Sequence, residues 1–250
     1  MNHNLSSVKI LDVRVDRVTM QDTLNFVSSS ISNGSYHQIV TVNPEFVMKA
    51  RKNILFRNIL NEAELSLPDG IGIVLASKLL GKQIPERVTG VDTVERISAL
   101  ARDNGWRIFF LGAADGVAEQ AADILRSKYP GIQIVGTYAG SPRIEEEEGI
   151  CSRIIDTKPH ILFVAYGAPS QDIWIARNLN KIKVPVAIGI GGTFDFIAGI
   201  SSRAPVWIQR LGVEWLYRLF REPWRWKRML ALPHFAALVI YSRIFKHTQN

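Results

Sequence analysis

An α/β fold, a parallel sheet flanked by helices and followed by a helical basic C-terminal appendage, is what this 250-residue sequence predicts. Three observations carry the expectation. From about residue 91 onward, short apolar strands alternate with helical stretches, the pattern of βα units whose strands are buried on both faces. Hydrophobic residues make up 47% of the chain and charged ones 21%, ample for a core and too few charges for disorder. The last fifty residues carry nine Lys and Arg against only Glu214 and Glu222, which equals the net charge of +7 of the whole chain. The expected division is a Rossmann-like core over residues 1–200 and an appendage over 201–250.

The elements follow in order. Residues 8–15 and 38–42 alternate as strands, and Pro44 is placed to open a helix running through Lys52. A second helical stretch covers 54–63. A short strand then ends in the turn Asp69-Gly70, and an apolar helix runs to Leu80. Beyond it come a helix over 91–102, a strand over 107–111, the turn 112–116 and a helix to Lys128. A strand over 133–137, an acidic helix from Ile144, a strand over 161–165, a helix around 171–179 and a strand over 184–190 complete the core. The run Glu145 to Glu148 reads as a solvated first helical turn, favoured by the helix dipole.

Composition also bounds location and partners. Cys151 is the single cysteine, so an internal disulfide or cysteine-rich zinc site is excluded and a reducing compartment is expected. Residues 1–8 are polar and offer no signal peptide. The longest apolar stretch, 229–241, is interrupted by Pro233 and His234 and falls short of the roughly 20 residues a spanning helix needs. Four of the six tryptophans, Trp207, Trp215, Trp224 and Trp226, share the basic tail. Cations attract anionic headgroups and tryptophan favours the water–hydrocarbon boundary, so the tail reads as a membrane-surface segment. A nucleic-acid face or a plain docked helix has the same composition; no nucleic-acid partner is expected. The location that follows is cytoplasmic, peripheral on the inner face of the membrane.

Ligands of such sheets bind at the carboxyl ends of the strands, so the strand-end loops supply the candidates. Gly112 opens a turn whose helix-start amides suit a diphosphate, although the turn is not GxGxxG. The segment 190–195 has two glycines that allow close approach, and Asp195 reads either as a hydroxyl contact or as a helix cap. Thr41 and Asn43 share one face of a strand end, with Asn43 equally suited to capping the next helix. Asp69, on a strand-to-helix corner, reads as a turn residue or a general base. Gln171 stands at a helix start, where an amide suits a sugar or phosphate. There is no DxD triplet and no His/Cys/Asp cluster with metal spacing, so neither metal nor cofactor is expected.

Taken in order, several segments together resemble the WecG/TagA/CpsF glycosyltransferase family, its TagA branch in particular. They are Thr41-x-Asn43-x-Glu45, Pro68-Asp-Gly-Ile-Gly72, Glu86-Arg-Val-Thr-Gly90 with Asp92, and Gly167-Ala-Pro-Ser-Gln-Asp-Ile-Trp174. Gly191-Gly-Thr-Phe-Asp195, Ala198-Gly199, Arg203-Ala-Pro205, Glu214-Trp-Leu-Tyr-Arg-Leu219, Glu222-Pro223 and Arg228-Met-Leu-Ala-Leu-Pro233 follow. The resemblance covers about residues 8–245. Ser170 and Asp172 depart from it, where many relatives have Lys and Glu.

The resemblance implies a metal-independent, inverting transferase. Its donor would be UDP-N-acetylmannosamine and its acceptor undecaprenyl-diphosphate-linked N-acetylglucosamine, joined by a β-1,4 linkage in cell-wall or surface-polysaccharide synthesis. Other members use the uronic acid, glucose or galactose. On this chain it makes Asp69 the base, with Thr41, Asn43, Arg87 and Gln171 holding sugars. Asp195 and the Gly112 loop would contact the nucleotide, and Arg218, Arg225 and Arg228 would reach diphosphate oxygens from a membrane-docking appendage. A non-catalytic nucleotide-sugar-binding membrane module is the alternative. A homo-oligomer is left open, and an NAD-dependent oxidoreductase is disfavoured by the missing GxGxxG.

Overall fold

The computed structural model describes residues 6–205, 207–208, 213–221, 223 and 226–247, the side chains of 218, 227, 228, 246 and 247 excepted. A parallel six-stranded sheet forms the core. Its strands are β3 (His37–Val42), β4 (Leu65–Pro68), β5 (Arg107–Gly112), β6 (Gln133–Tyr138), β7 (Ile161–Ala165) and β8 (Val186–Gly189), in the spatial order β4-β3-β8-β7-β5-β6. Side chains alternate at period two. Phe110, Phe163 and Ile188 bury into one layer, while Phe109, Leu111, Leu162 and Val164 bury into the other.

Helices cover both faces. On one lie α1 (Met20–Asn33), α5 (Gly90–Asn104), α6 (Val117–Lys128) and the short α9 (Thr193–Ile197), with Phe194 stacked on Phe110 at 4.5 Å between centroids. Each such aromatic, fully buried, stabilises the fold by roughly 1.5–3 kcal/mol. On the other face lie α2 (Pro44–Ala50), α3 (Ile54–Glu62), α4 (Ile71–Leu79), α7 (Ile144–Thr157) and α8 (Ser170–Ile182). Cys151 is a buried part of this layer. Beyond the core come α10 (Glu214–Arg221), α11 (Trp226–Met229) and α12 (Ala231–His247). Phe235 and Val239 of α12 bury in the same cluster as Val47 and Ala50 of α2, which docks the appendage on the core.

Local differences from the sequence expectation have identifiable causes. The single strand expected over 8–15 is a hairpin of β1 (Ser7–Ile10) and β2 (Val13–Asp16). Its two-residue turn is Leu11-Asp12, both at positive φ (48° and 70°), without the Asn-Gly signal that usually marks such turns. Helix α1, not anticipated from the sequence, starts at a Thr19/Asp22 capping box. Pro233 does not interrupt the last helix. It sits in the first turn of α12, where its missing N–H breaks no helical hydrogen bond. Of the acidic run on α7, Glu145 is exposed, but Glu146 accepts from both the amide and hydroxyl of Ser141.

Candidate functional site

Four strands that are neighbours in the sheet, β4, β3, β8 and β7, end at one cavity of about 500 Å³. Thr41 and Asn43 line it from the end of β3, Asp69 from β4, Tyr166 and Gly167 from β7, and Gly191 to Thr193 from β8. The loop leading into α5 adds Arg87 and the helix N-cap Thr89, and α5 itself adds Gly90. The appendage contributes Arg203, Glu214, Trp215, Met229 and Leu232, so the wall joins residues from both parts of the chain.

The turn after β4 sets Asp69 in place. Its amide donates to Val42 O (2.8 Å) and Leu67 O (3.0 Å), and Gly70 follows at φ 124°, a conformation that a side chain would strain. Desolvation, reinforced by the nearby Glu214 charge, pushes the Asp69 carboxyl up to about 7. The Arg87 guanidinium and the Gly90 amide pull the other way and do not prevail. A carboxyl poised near neutrality on a cavity floor is suited to taking a proton.

Charged groups surround it in a chain. Arg203 donates to Asp92 Oδ1 at 2.7 Å and Oδ2 at 3.5 Å. Burial works against the charge of Asp92, but hydrogen bonds from Arg203 and Thr89 outweigh it and hold its carboxyl below the usual carboxylate range. Glu214 lies 3.8 Å from Arg87 and 4.0 Å from Arg203. Lys49 pairs with Glu45 at 2.9 Å and donates to Ala168 O at 3.0 Å, bracing the loop after β7.

The predicted site residues divide. Asp69, Thr41, Asn43 and Arg87 meet at the cavity. Asn43 also accepts from Phe46 N at 3.0 Å, so it caps α2 and faces the site at once. Thr41 donates to Gly189 O at 3.0 Å, tying β3 to β8. Gln171 does not face the cavity. It is fully buried, and its Oε1 accepts from Gly167 N (3.1 Å) and Gly191 N (2.9 Å), so it holds two wall loops together from behind. Asp195 lies in the first turn of α9, outside the cavity wall. Gly112 is also outside it: a Cβ there would come within 2.8 Å of the Ala165 carbonyl carbon, so close strand packing accounts for the glycine. Arg225 and the side chains of Arg218 and Arg228 lie outside the described residues. Sequence reasoning gave no role to Arg203 and Glu214, although both stand in the segments that carry the resemblance.

The model of the glycosyl transferase WecG/TagA/CpsF family matches residues 8–249. The chain belongs to this family. Relatives agree with that membership. A Bacillus spizizenii protein named N-acetylglucosaminyldiphosphoundecaprenol N-acetyl-beta-D-mannosaminyltransferase is 36% identical over 202 residues, covering 81% of this chain and 78% of its own. A Bacillus subtilis protein of the same name is 36% identical over 210 residues (84% and 81%). One from Staphylococcus aureus is 32% identical over 234 residues (93% and 91%).

Proposed function

We propose that this member of the WecG/TagA/CpsF family transfers N-acetylmannosamine from its UDP ester to the 4-hydroxyl of N-acetylglucosamine on undecaprenyl diphosphate, inverting the anomeric centre. The observation that carries the reading is Asp69: a carboxyl raised to about 7, beside Arg87, on the floor of a cavity at the sheet's carboxyl edge. The names of the relatives supply donor sugar and acceptor. The ionised Asp69 takes the acceptor hydroxyl proton as that oxygen attacks the anomeric carbon, with UDP departing from the opposite face. Thr41 and Asn43 orient sugar hydroxyls from the end of β3. Gln171 acts through the glycine loops it holds, and neither Gly112 nor Asp195 is given a substrate contact.

In this reading residues 1–200 are the catalytic core, and 201–250 bring the site to the inner membrane face. Among the described residues no helix is long and apolar enough to cross a membrane. The appendage nevertheless exposes large apolar side chains, Phe220 at 79% and Trp207 at 63%, beside its excess of basic residues. That combination suits the surface of an anionic bilayer. Flotation of the full chain with anionic vesicles is expected, and Phe220→Glu weakens it; equal flotation of both proteins would remove the apolar contact from the account.

The direct experiment mixes purified protein, UDP-N-acetylmannosamine and a lipid-diphosphate N-acetylglucosamine acceptor in EDTA. A disaccharide product is expected. Product from another UDP-hexose alone would change the donor, and bound UDP without any transfer would make the chain a nucleotide-sugar-binding module.

A further inference from the structure

Glu214 projects from α10 into the cavity wall between two guanidiniums. Its Oε2 lies 3.8 Å from an Arg87 nitrogen and its Oε1 lies 4.0 Å from Arg203 Nε. Both separations are too long for hydrogen bonds. Arg203 itself is well anchored, because Asp92 takes its terminal nitrogens. That leaves Arg203 Nε buried with no hydrogen-bond acceptor among the described residues. Two cations therefore share one carboxylate that satisfies neither, at a wall facing Asp69.

A diphosphate suits this place better than a carboxylate does. Its linked phosphates present several acceptor oxygens across a longer span, and guanidinium groups bind such oxygens through paired, charge-assisted hydrogen bonds. A diphosphate and Glu214 cannot both sit between Arg87 and Arg203 without bringing like charges together beside Asp69.

We propose that Glu214 holds the place of a substrate diphosphate: an incoming diphosphate ester displaces the Glu214 carboxylate from between Arg87 and Arg203 and takes both guanidiniums as its partners. The inference rests on the transferase reading, in which donor and acceptor both carry a diphosphate. It makes Arg203 and Glu214, which belong to the appendage, part of substrate binding, and it couples ligand entry to the seating of α10.

The test is calorimetric binding of UDP, farnesyl diphosphate and uridine to the full-length wild type, Glu214→Gln and Arg203→Ala. Removing the competing charge tightens diphosphate binding in Glu214→Gln by about 2- to 5-fold, the upper range of a solvent-accessible ion pair, as befits one only partly exposed. Arg203→Ala weakens it by about tenfold. Uridine, without phosphate, binds Glu214→Gln and wild type alike. A gain confined to UDP assigns the place to the donor, and one confined to farnesyl diphosphate assigns it to the acceptor. Glu214→Asp, whose shorter side chain withdraws the charge, shifts affinity the same way by less and keeps the test open should the Gln variant not fold. Diphosphate affinity that falls in Glu214→Gln as it does in Arg203→Ala overturns the inference, because Glu214 would then be a scaffold for the arginines. Failure of wild type to bind either diphosphate overturns the transferase reading together with it.

Discussion

Two aspartates near the same sheet edge have carboxyls raised to about 7, and they occupy opposite sides of the cavity wall. Asp69 lies on the floor, open to a ligand. Asp172, at the start of α8, is fully buried behind the loops of β7 and β8, and neither carboxyl oxygen has a hydrogen-bond partner among the described residues. Desolvation is the leading cause for both. A shifted carboxyl therefore marks burial first, and only access turns it into a base.

Replacing each aspartate separates the two regions most sharply. Asp69→Asn lowers kcat by about 10²–10⁴, the usual contribution of a general base, with UDP affinity held within about threefold. Asp172→Asn keeps turnover within about threefold, because nothing in the cavity touches it. Steady-state transfer assays with UDP titrations check both, and comparable losses would erase the distinction.

Gln171→Ala stands between them. It removes an acceptor from two loop amides without touching the ligand, so kcat/KM falls by about tenfold and Tm drops with it. Loss of activity with Tm unchanged would instead give Gln171 a direct role.

Stability gives a smaller effect common to both aspartates. Between about pH 4 and 7 the unfolded chain has released these protons while the folded chain still holds them. Stability consequently falls as pH rises through that window and levels off above it. Asn, which never ionises, avoids the loss. Either variant should melt about 2–4 °C above wild type at pH 8, where roughly 1 kcal/mol has that effect in a chain of this size, with the gap closing below pH 4. Thermal melts at both pH values check it.

Much of the site was legible because strand ends announce themselves. Asp69-Gly70 and Thr41-x-Asn43 follow apolar runs, and parallel pairing brings their ends together. Gly112 shows the limit of that logic. Its turn looks as suitable as Gly191-Gly192, yet β5 stands one strand beyond the four that end at the cavity, and packing against Ala165 is enough to call for the glycine. Gln171 reads from sequence as a sugar or phosphate contact, but the direction of its side chain, toward the amides of Gly167 and Gly191, depends on a contact twenty residues away in sequence. Arg203 and Glu214 could not be paired with Asp92 and Arg87 from sequence because more than a hundred residues separate them. The Leu11-Asp12 hairpin was hidden because Leu11, unlike aspartate, gives no sign of a left-handed turn and no glycine follows Asp12.

The smallest effect links appendage to core. Since Glu214 raises the Asp69 carboxyl, Glu214→Gln shifts the acidic limb of the rate profile downward in pH, by a few tenths of a unit. An upward shift would mean that Glu214 is not felt at Asp69.

The most direct measurement is kcat/KM for transfer from pH 5 to 9 in wild type and Asp172→Asn. Ionised Asp69 as the base predicts a tenfold rise per pH unit up to about 7 and a plateau above it, the same in both proteins. A flat profile, or a limb that disappears in Asp172→Asn, would contradict the assignment of the base to Asp69.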